Sequence, residues 1–184
     1  LHYPLRRQRQ MCIRDSFIYS LWLKRTSRQN IVIGGAAGAA PALIGWAAVE
    51  GSLSLSAIIL FAIIFFWTPP HFWALAIKYA EDYEAAEVPM LPVVVSIRST
   101  AKSMILYTVI VLALSLWFHF VADLNLIYLT VAVLGGLVFL WRTVNLLRLP
   151  NATQAMKVFT YSIVYLGALF IAVAIDVLTY GTGT

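Results

Sequence analysis

The chain has 184 residues, of which 61% are apolar and 11% charged, with a formal net charge of +5 and a mean hydropathy of +0.85. A soluble domain carries roughly 45–50% apolar and about 25% charged residues, and one aqueous core of this length could not hide such a surplus of apolar surface. A bilayer covers it; the positive charge lies between apolar runs, not in a basic patch interleaved with aromatics, so nucleic acid is not an expected partner.

Residues 1–16 are arginine-rich and break sharply in composition from the apolar chain after them. The stretch Met11-Cys12-Ile13-Arg14-Asp15-Ser16 reads as sequence carry-over, with a native basic loop as the alternative, and no signal peptide is visible. Cys12 is the single cysteine, so an intrachain disulfide is impossible, and it reads as an incidental thiol. Residues 17–184 form the membrane part. It opens with Tyr19, Lys24, Arg25 and Asn30 at a membrane edge. Basic side chains there set topology, touch anionic lipid, or pair with phosphate or carboxylate oxygens.

Five apolar runs come next, at 31–49, 55–77, 104–122, 124–141 and 158–178. Each approaches the roughly 20 residues that a spanning helix needs. They are too uniformly apolar for amphipathic helices on a soluble core, and barrel strands would be about half as long and would alternate. The expected fold is all-α, a multi-spanning transmembrane helix bundle. The first run is rich in small residues (Gly34, Gly35, Gly38, Gly45 and several alanines), which suits close helix packing or room for a bulky ligand. The second contains Thr68-Pro69-Pro70, where lost backbone donors predict a kink or a break, with Thr68 capping a new segment. His119, near the far end of the third run, reads as an interfacial or packed histidine.

All 13 lysines and arginines fall before the first run, between the second and third, or between the fourth and fifth. The other ends, at 50–54, around Asp123 and after 178, hold none. Alternate loops therefore share one basic side, which the positive-inside rule makes cytoplasmic.

The chemistry-bearing residues gather on that side. If the second helix continues past the bilayer surface, Lys78 and Asp82 come after His71 at i+7 and i+11, within about 20° of one face, and Asp82 lies about 16 Å further along the axis. Glu81, Asp82, Glu84 and Glu87 hold half of the eight carboxylates. Such a cluster is either a solvated acidic loop or a dock for a hard cation such as Mg²⁺, whose shell a ligand's phosphate oxygens would complete.

Three strings carry a family resemblance: YSLWLKRTS at 19–27, NIVIGGAAGAAPALIGWAAVEGSLS at 30–54 and WTPPHFWALAIKYAEDYEAAEVPMLPVV at 67–94. With the helices beyond, they make residues 17–180 resemble the C-terminal half of the heme O synthases, protoheme IX farnesyltransferases of the UbiA-type superfamily. The resemblance implies about nine spanning helices, of which about five are present here, and a bacterial cytoplasmic (inner) membrane location. It further implies two acidic motifs on the cytoplasmic side. The second matches Lys78–Tyr83, with Asp82 and Glu81 as Mg²⁺ ligands; the tyrosine–basic motif matches Tyr19, Lys24 and Arg25, which would grip a diphosphate. The first acidic motif would lie upstream of Leu1, so the 184-residue chain alone is expected to be inactive. Glu87 and Arg28 stand where many relatives have other residues.

The implied reaction is farnesyl diphosphate, heme B and water giving heme O and diphosphate. Lys78 would serve the diphosphate or a heme propionate, His71 would orient heme or contact its iron, and the small residues of the first run would house the farnesyl chain. Heme A synthase or terminal oxidase assembly would be the partners. Two other readings stay open: a UbiA-type prenyltransferase with a quinone-precursor or chlorin acceptor, and a heme-handling or transport membrane protein. Transport is disfavoured by the absence of internal repeats and of charged residues at mid-membrane depth.

Overall fold

The computed structural model describes residues 30–180. All regular elements among them are helical: α1 (Asn30–Glu50), α2 (Leu55–Lys78), the short α3 (Ala80–Ala85) and α4 (Leu91–Val94), α5 (Ile97–Val121), α6 (Leu126–Arg148) and α7 (Ala152–Tyr180). The five longer helices, α1, α2, α5, α6 and α7, are long and apolar enough to cross a bilayer and correspond to the five apolar runs. At 1.5 Å per residue their 21 to 29 residues extend about 32 to 44 Å, beyond the roughly 30 Å hydrocarbon core. The surplus lies at the basic end. There α5 starts at Ile97 rather than 104, α6 runs to Arg148 rather than 141, and α7 starts at Ala152 rather than 158. Polar caps set these true starts: Ser96 Oγ accepts from the Ser99 N–H (3.3 Å) and Asn151 Oδ1 from the Gln154 N–H (2.9 Å).

Helices α2, α5, α6 and α7 close into an up-and-down ring, each packing on the next and α7 returning to α2; α1 packs on α2 alone among the described spanning helices. Six basic residues of the described part, Lys78, Arg98, Lys102, Arg142, Arg148 and Lys157, stand at one end of this bundle, and Glu50, Asp123 and Asp176 at the other.

Helices α5, α6 and α7 meet around the fully buried Ser115. Tyr128 Oη donates to its carbonyl (3.1 Å) and Tyr165 Oη to its Oγ (3.2 Å). Glycines on α6 allow this approach: a Cβ on Gly135 would stand 2.8 Å from the Tyr165 ring, and one on Gly136 would overlap the Leu112 side chain.

The proline pair does not break the second helix. α2 runs through Pro69 and Pro70, and Thr68 does not cap a new segment, because its Oγ1 donates back to the Ile64 carbonyl (2.8 Å). That back-bond and the packing on α1, α5 and α7 hold the turn where two backbone donors are missing. Gly35 of α1 abuts this point, since a Cβ there would lie 3.2 Å from Thr68.

Asp176 does not stand out in the sequence. It is 1% exposed in α7, and its Oδ2 accepts from the Asn125 N–H at the start of α6, while Oδ1 is buried with no partner among the described residues. Replacing it with leucine, which deletes the acceptor, is expected to cost about 1–3 kcal/mol. Asp176→Asn keeps an acceptor oxygen and should cost about 1 kcal/mol or less. Thermal unfolding in detergent, monitored by far-UV circular dichroism, separates the two; equal losses would deny Asp176 its role as an anchor for α6.

Candidate active site

Polar chemistry in the described part centres on the lower half of α2 and the segment after it. His71 lies four residues after Trp67, so their rings meet on one helix face, stacked with centroids 4.3 Å apart. Phe159 of α7 covers the other face of the imidazole at 4.5 Å, and Phe72 stands edge-on at 5.2 Å. His71 Nδ1 is 2.8 Å from Ser162 Oγ, and the Ser162 hydroxyl donates to the Phe159 carbonyl at 2.6 Å. With that single proton committed to the shorter bond, Nδ1 is the donating nitrogen and Nε2 keeps the lone pair. Trp67 Nε1 donates to the Ser162 carbonyl (2.9 Å), so one residue of α7 fixes both stacked rings. Ser162 and Phe159 were missed in the sequence because they lie on another helix and no spacing links them to His71.

The expected stripe from His71 through Lys78 to Asp82 is interrupted. α2 ends at Lys78, and Tyr79, at φ −106° and ψ 30°, separates it from α3. His71 and Lys78 share a helix, His71 buried and Lys78 exposed; Glu81 and Asp82 belong to the next element, so the seven-plus-four spacing does not put all on one face. Glu81 and Asp82 occupy the first turn of α3 and are exposed, as is Glu84. Glu87 closes the segment in the left-handed region, at φ 54°, where a side chain costs roughly 1–2 kcal/mol that glycine would not incur. Among the described residues no three His, Cys, Asp or Glu converge as a metal group. Tyr19, Lys24 and Arg25 lie outside the described residues. His119 is half-buried in the last turn of α5, edge-on to Phe120 at 4.9 Å, its Nδ1 without a partner among the described residues.

Two hollows flank this region. A cleft of about 270 Å³ between α1 and α2 is lined by Gly34, Gly35, Gly38, Trp67, Thr68 and Phe72, so the small residues of α1 provide both close approach and free space. An open groove of about 630 Å³ at the basic end is bordered by Lys78, Arg142 and Lys157 and not by Glu81 or Asp82.

Comparison with known proteins agrees with this architecture. The chain is 52% identical over 164 residues to the protoheme IX farnesyltransferase of Alkalilimnicola ehrlichii, covering 88% of this chain and 53% of that protein. It is 51% identical over 160 residues to that of Gloeobacter violaceus (86% and 52%), and 49% identical over 160 residues to that of a Roseiflexus species (87% and 30%). The chain thus spans about half, or less, of the length of these relatives. A solved structure of a digeranylgeranylglyceryl phosphate synthase superposes with a TM-score of 0.79 over 89% of this chain and 57% of that one, and its 18% identity makes this a likeness of fold. Residues 12–176 match the model of the UbiA prenyltransferase family, and the chain belongs to that family.

Proposed function

We propose that this chain supplies one half of an intramembrane transferase that moves the farnesyl group of farnesyl diphosphate to a vinyl group of heme B, giving heme O. The observation that carries the reading is identity at about half of all positions, over some 160 residues, with proteins named for farnesyl transfer to protoheme IX. The clustering of His71, Lys78, Glu81 and Asp82 towards the basic end of a lipid-embedded bundle supports it. By the positive-inside rule that end faces the cytoplasm, in a bacterial inner membrane.

Asp82 and Glu81 would hold Mg²⁺, Asp82 directly and Glu81 through water: both are hard oxygen donors exposed in the first turn of α3, and Mg²⁺ normally takes one or two carboxylates with phosphate oxygens and water. When bound, the ion supplies Lewis-acid neutralisation of diphosphate charge. Lys24, Arg25 and Tyr19 hold the diphosphate. Lys78, at the lip of the bilayer, meets the negative charge that grows on the leaving group as the allylic C–O bond breaks. A vinyl carbon of heme bonds to the allylic carbon, and water supplies the hydroxyl of the product, so heme B, farnesyl diphosphate and water balance heme O and diphosphate. His71 orients the acceptor with its Nε2 lone pair, held in place through Nδ1 by Ser162. The cleft beside Gly34, Gly35 and Gly38 receives the isoprenoid, away from water that would otherwise capture it as an alcohol. Heme A synthase or oxidase assembly would then take up the product.

The test is a chimera. Residues 17–184 replace the matched half of the Alkalilimnicola ehrlichii relative, in a host lacking its own heme O. Extracted heme carrying a hydroxyethylfarnesyl group is the expected product. A chimera that assembles in the membrane yet prenylates a quinone precursor or chlorin, or nothing, would refute the heme assignment.

A further inference from the structure

The groove at the basic end lies on the outside of the bundle. On α7 the buried positions Ala155, Val158, Ser162, Tyr165 and Leu169 recur at three and four residues and face the other helices. Thr153, Lys157, Thr160 and Val164 recur in the same rhythm on another stripe, are all exposed, and line the groove. Lys78 reaches it from the end of α2 and Arg142 from α6, so three cations converge from three helices, and among the described residues no carboxylate lines the space.

Two details point to an anion as occupant. Lys78, Arg142 and Lys157 meet no carboxylate among the described residues that line the groove, so their charge is left for an occupant to neutralise. The groove also contains the first turn of the 29-residue α7. There Asn151 takes the N–H groups of Gln154 and Ala155, leaving those of Ala152 and Thr153 at the positive end of the helix dipole. A third detail points to an apolar tail. Below the charged rim the wall is Met156 and Val164, Val164 being 59% exposed. Trp141, beside the rim and 55% exposed, carries the Arg142 guanidinium 5.2 Å from its ring centre, as at a membrane interface.

We propose that this groove is a binding site for an anionic phospholipid of the leaflet at the basic end, its phosphate between Arg142 and Lys157 and an acyl chain along Met156 and Val164. Basic pockets between spanning helices at such an end suit lipid headgroups. The prenyl diphosphate shares the same phosphate-and-tail chemistry, but Asp82 and Glu81 do not line the groove, which favours the bilayer as the source. The assignment does not depend on farnesyl transfer.

The experiment reconstitutes the chain in phosphatidylcholine vesicles doped with phosphatidylglycerol and counts retained lipids by native mass spectrometry after detergent extraction. Phosphatidylglycerol should be retained over phosphatidylcholine, and retention should fall roughly tenfold or more in Arg142→Gln/Lys157→Gln, which removes two surface cations. The charge-keeping Arg142→Lys/Lys157→Arg variant should hold the lipid, and the single change Lys157→Gln, at an exposed position where substitutions are usually near neutral for stability, should show part of the loss. Equal retention of the two lipids overturns the proposal, as does undiminished phosphatidylglycerol in either glutamine variant or loss in the charge-keeping one. Displacement of the lipid by equimolar farnesyl diphosphate would assign the groove to the substrate and overturn it too.

Discussion

Asp82→Ala in the chimera is expected to lower heme O formation by roughly 10²–10³-fold, the usual cost of removing one preorganised electrostatic partner from a transition state that develops charge. The same change should leave the helices intact. Asp82 is exposed on the six-residue α3, and only its backbone carbonyl enters a described hydrogen bond, to Ala86. Exposed substitutions of this kind usually stay within about 0.5 kcal/mol. Glu81→Ala should act in the same direction with a smaller effect, since residues one apart on a helix do not face one another. Single-turnover assays at saturating Mg²⁺ and at limiting Mg²⁺ distinguish a metal ligand from a passive surface acid: a ligand's loss is partly repaired by excess ion. Unchanged heme O in Asp82→Ala would remove this residue from the reaction.

A single glycine carries an expected effect on stability as large as that of Asp176. Gly135→Val should lower stability by about 1–3 kcal/mol, the range for overpacking a filled core, and Tm by roughly 2–10 °C. The reason is the rigidity of what the new side chain meets. The Tyr165 ring is 1% exposed, hydrogen-bonded to Ser115, and packed against Phe139 at 5.6 Å. It cannot retreat without breaking the bond that ties α7 to α5. Gly136 is the softer neighbour, because its added carbon would meet the flexible tip of Leu112. Gly38→Ala is the contrast, with nothing within 4 Å of the new methyl group; helix propensity alone should make it neutral or stabilising by up to about 1 kcal/mol. Thermal unfolding of Gly135→Val, Gly136→Val and Gly38→Ala in one detergent checks the order, and a Gly135→Val variant as stable as the parent would show that α6 and α7 can part without loss.

The spanning helices were legible because hydropathy over twenty residues is a bulk property that packing does not overrule. The arrangement of charges was legible for the same reason: a lysine in hydrocarbon is costly wherever its helix packs. Helix ends were not, since Arg98, Lys102 and Lys157 lie inside helices that project beyond the apolar run, and only the caps at Ser96 and Asn151 mark the true starts. Periodicity misled at Tyr79, where a stripe from His71 to Asp82 assumes an unbroken axis and the backbone supplies a joint instead. The proline pair could have broken α2 or only kinked it, and the break was excluded by the packing of α2 on three neighbours, which no local signal shows. The partners of His71 and the anchor role of Asp176 depend on which helix lies beside which, and a single sequence carries no record of that adjacency.

The one-sided placement of the cations has a consequence for biogenesis. A nascent chain of this pattern enters the bilayer as helical hairpins, and the insertion machinery need never drag a lysine or arginine of the described region through oil, at about 2.5–3.5 kcal/mol apiece at mid-depth. With the basic end cytoplasmic, as proposed, what must cross among the described residues is the turns at 51–54 and 122–125 and the far end of α7, carrying Glu50, Asp123 and Asp176. Each hairpin is thus trapped once threaded, since backing out or inverting would pull its arginines and lysines into the lipid interior.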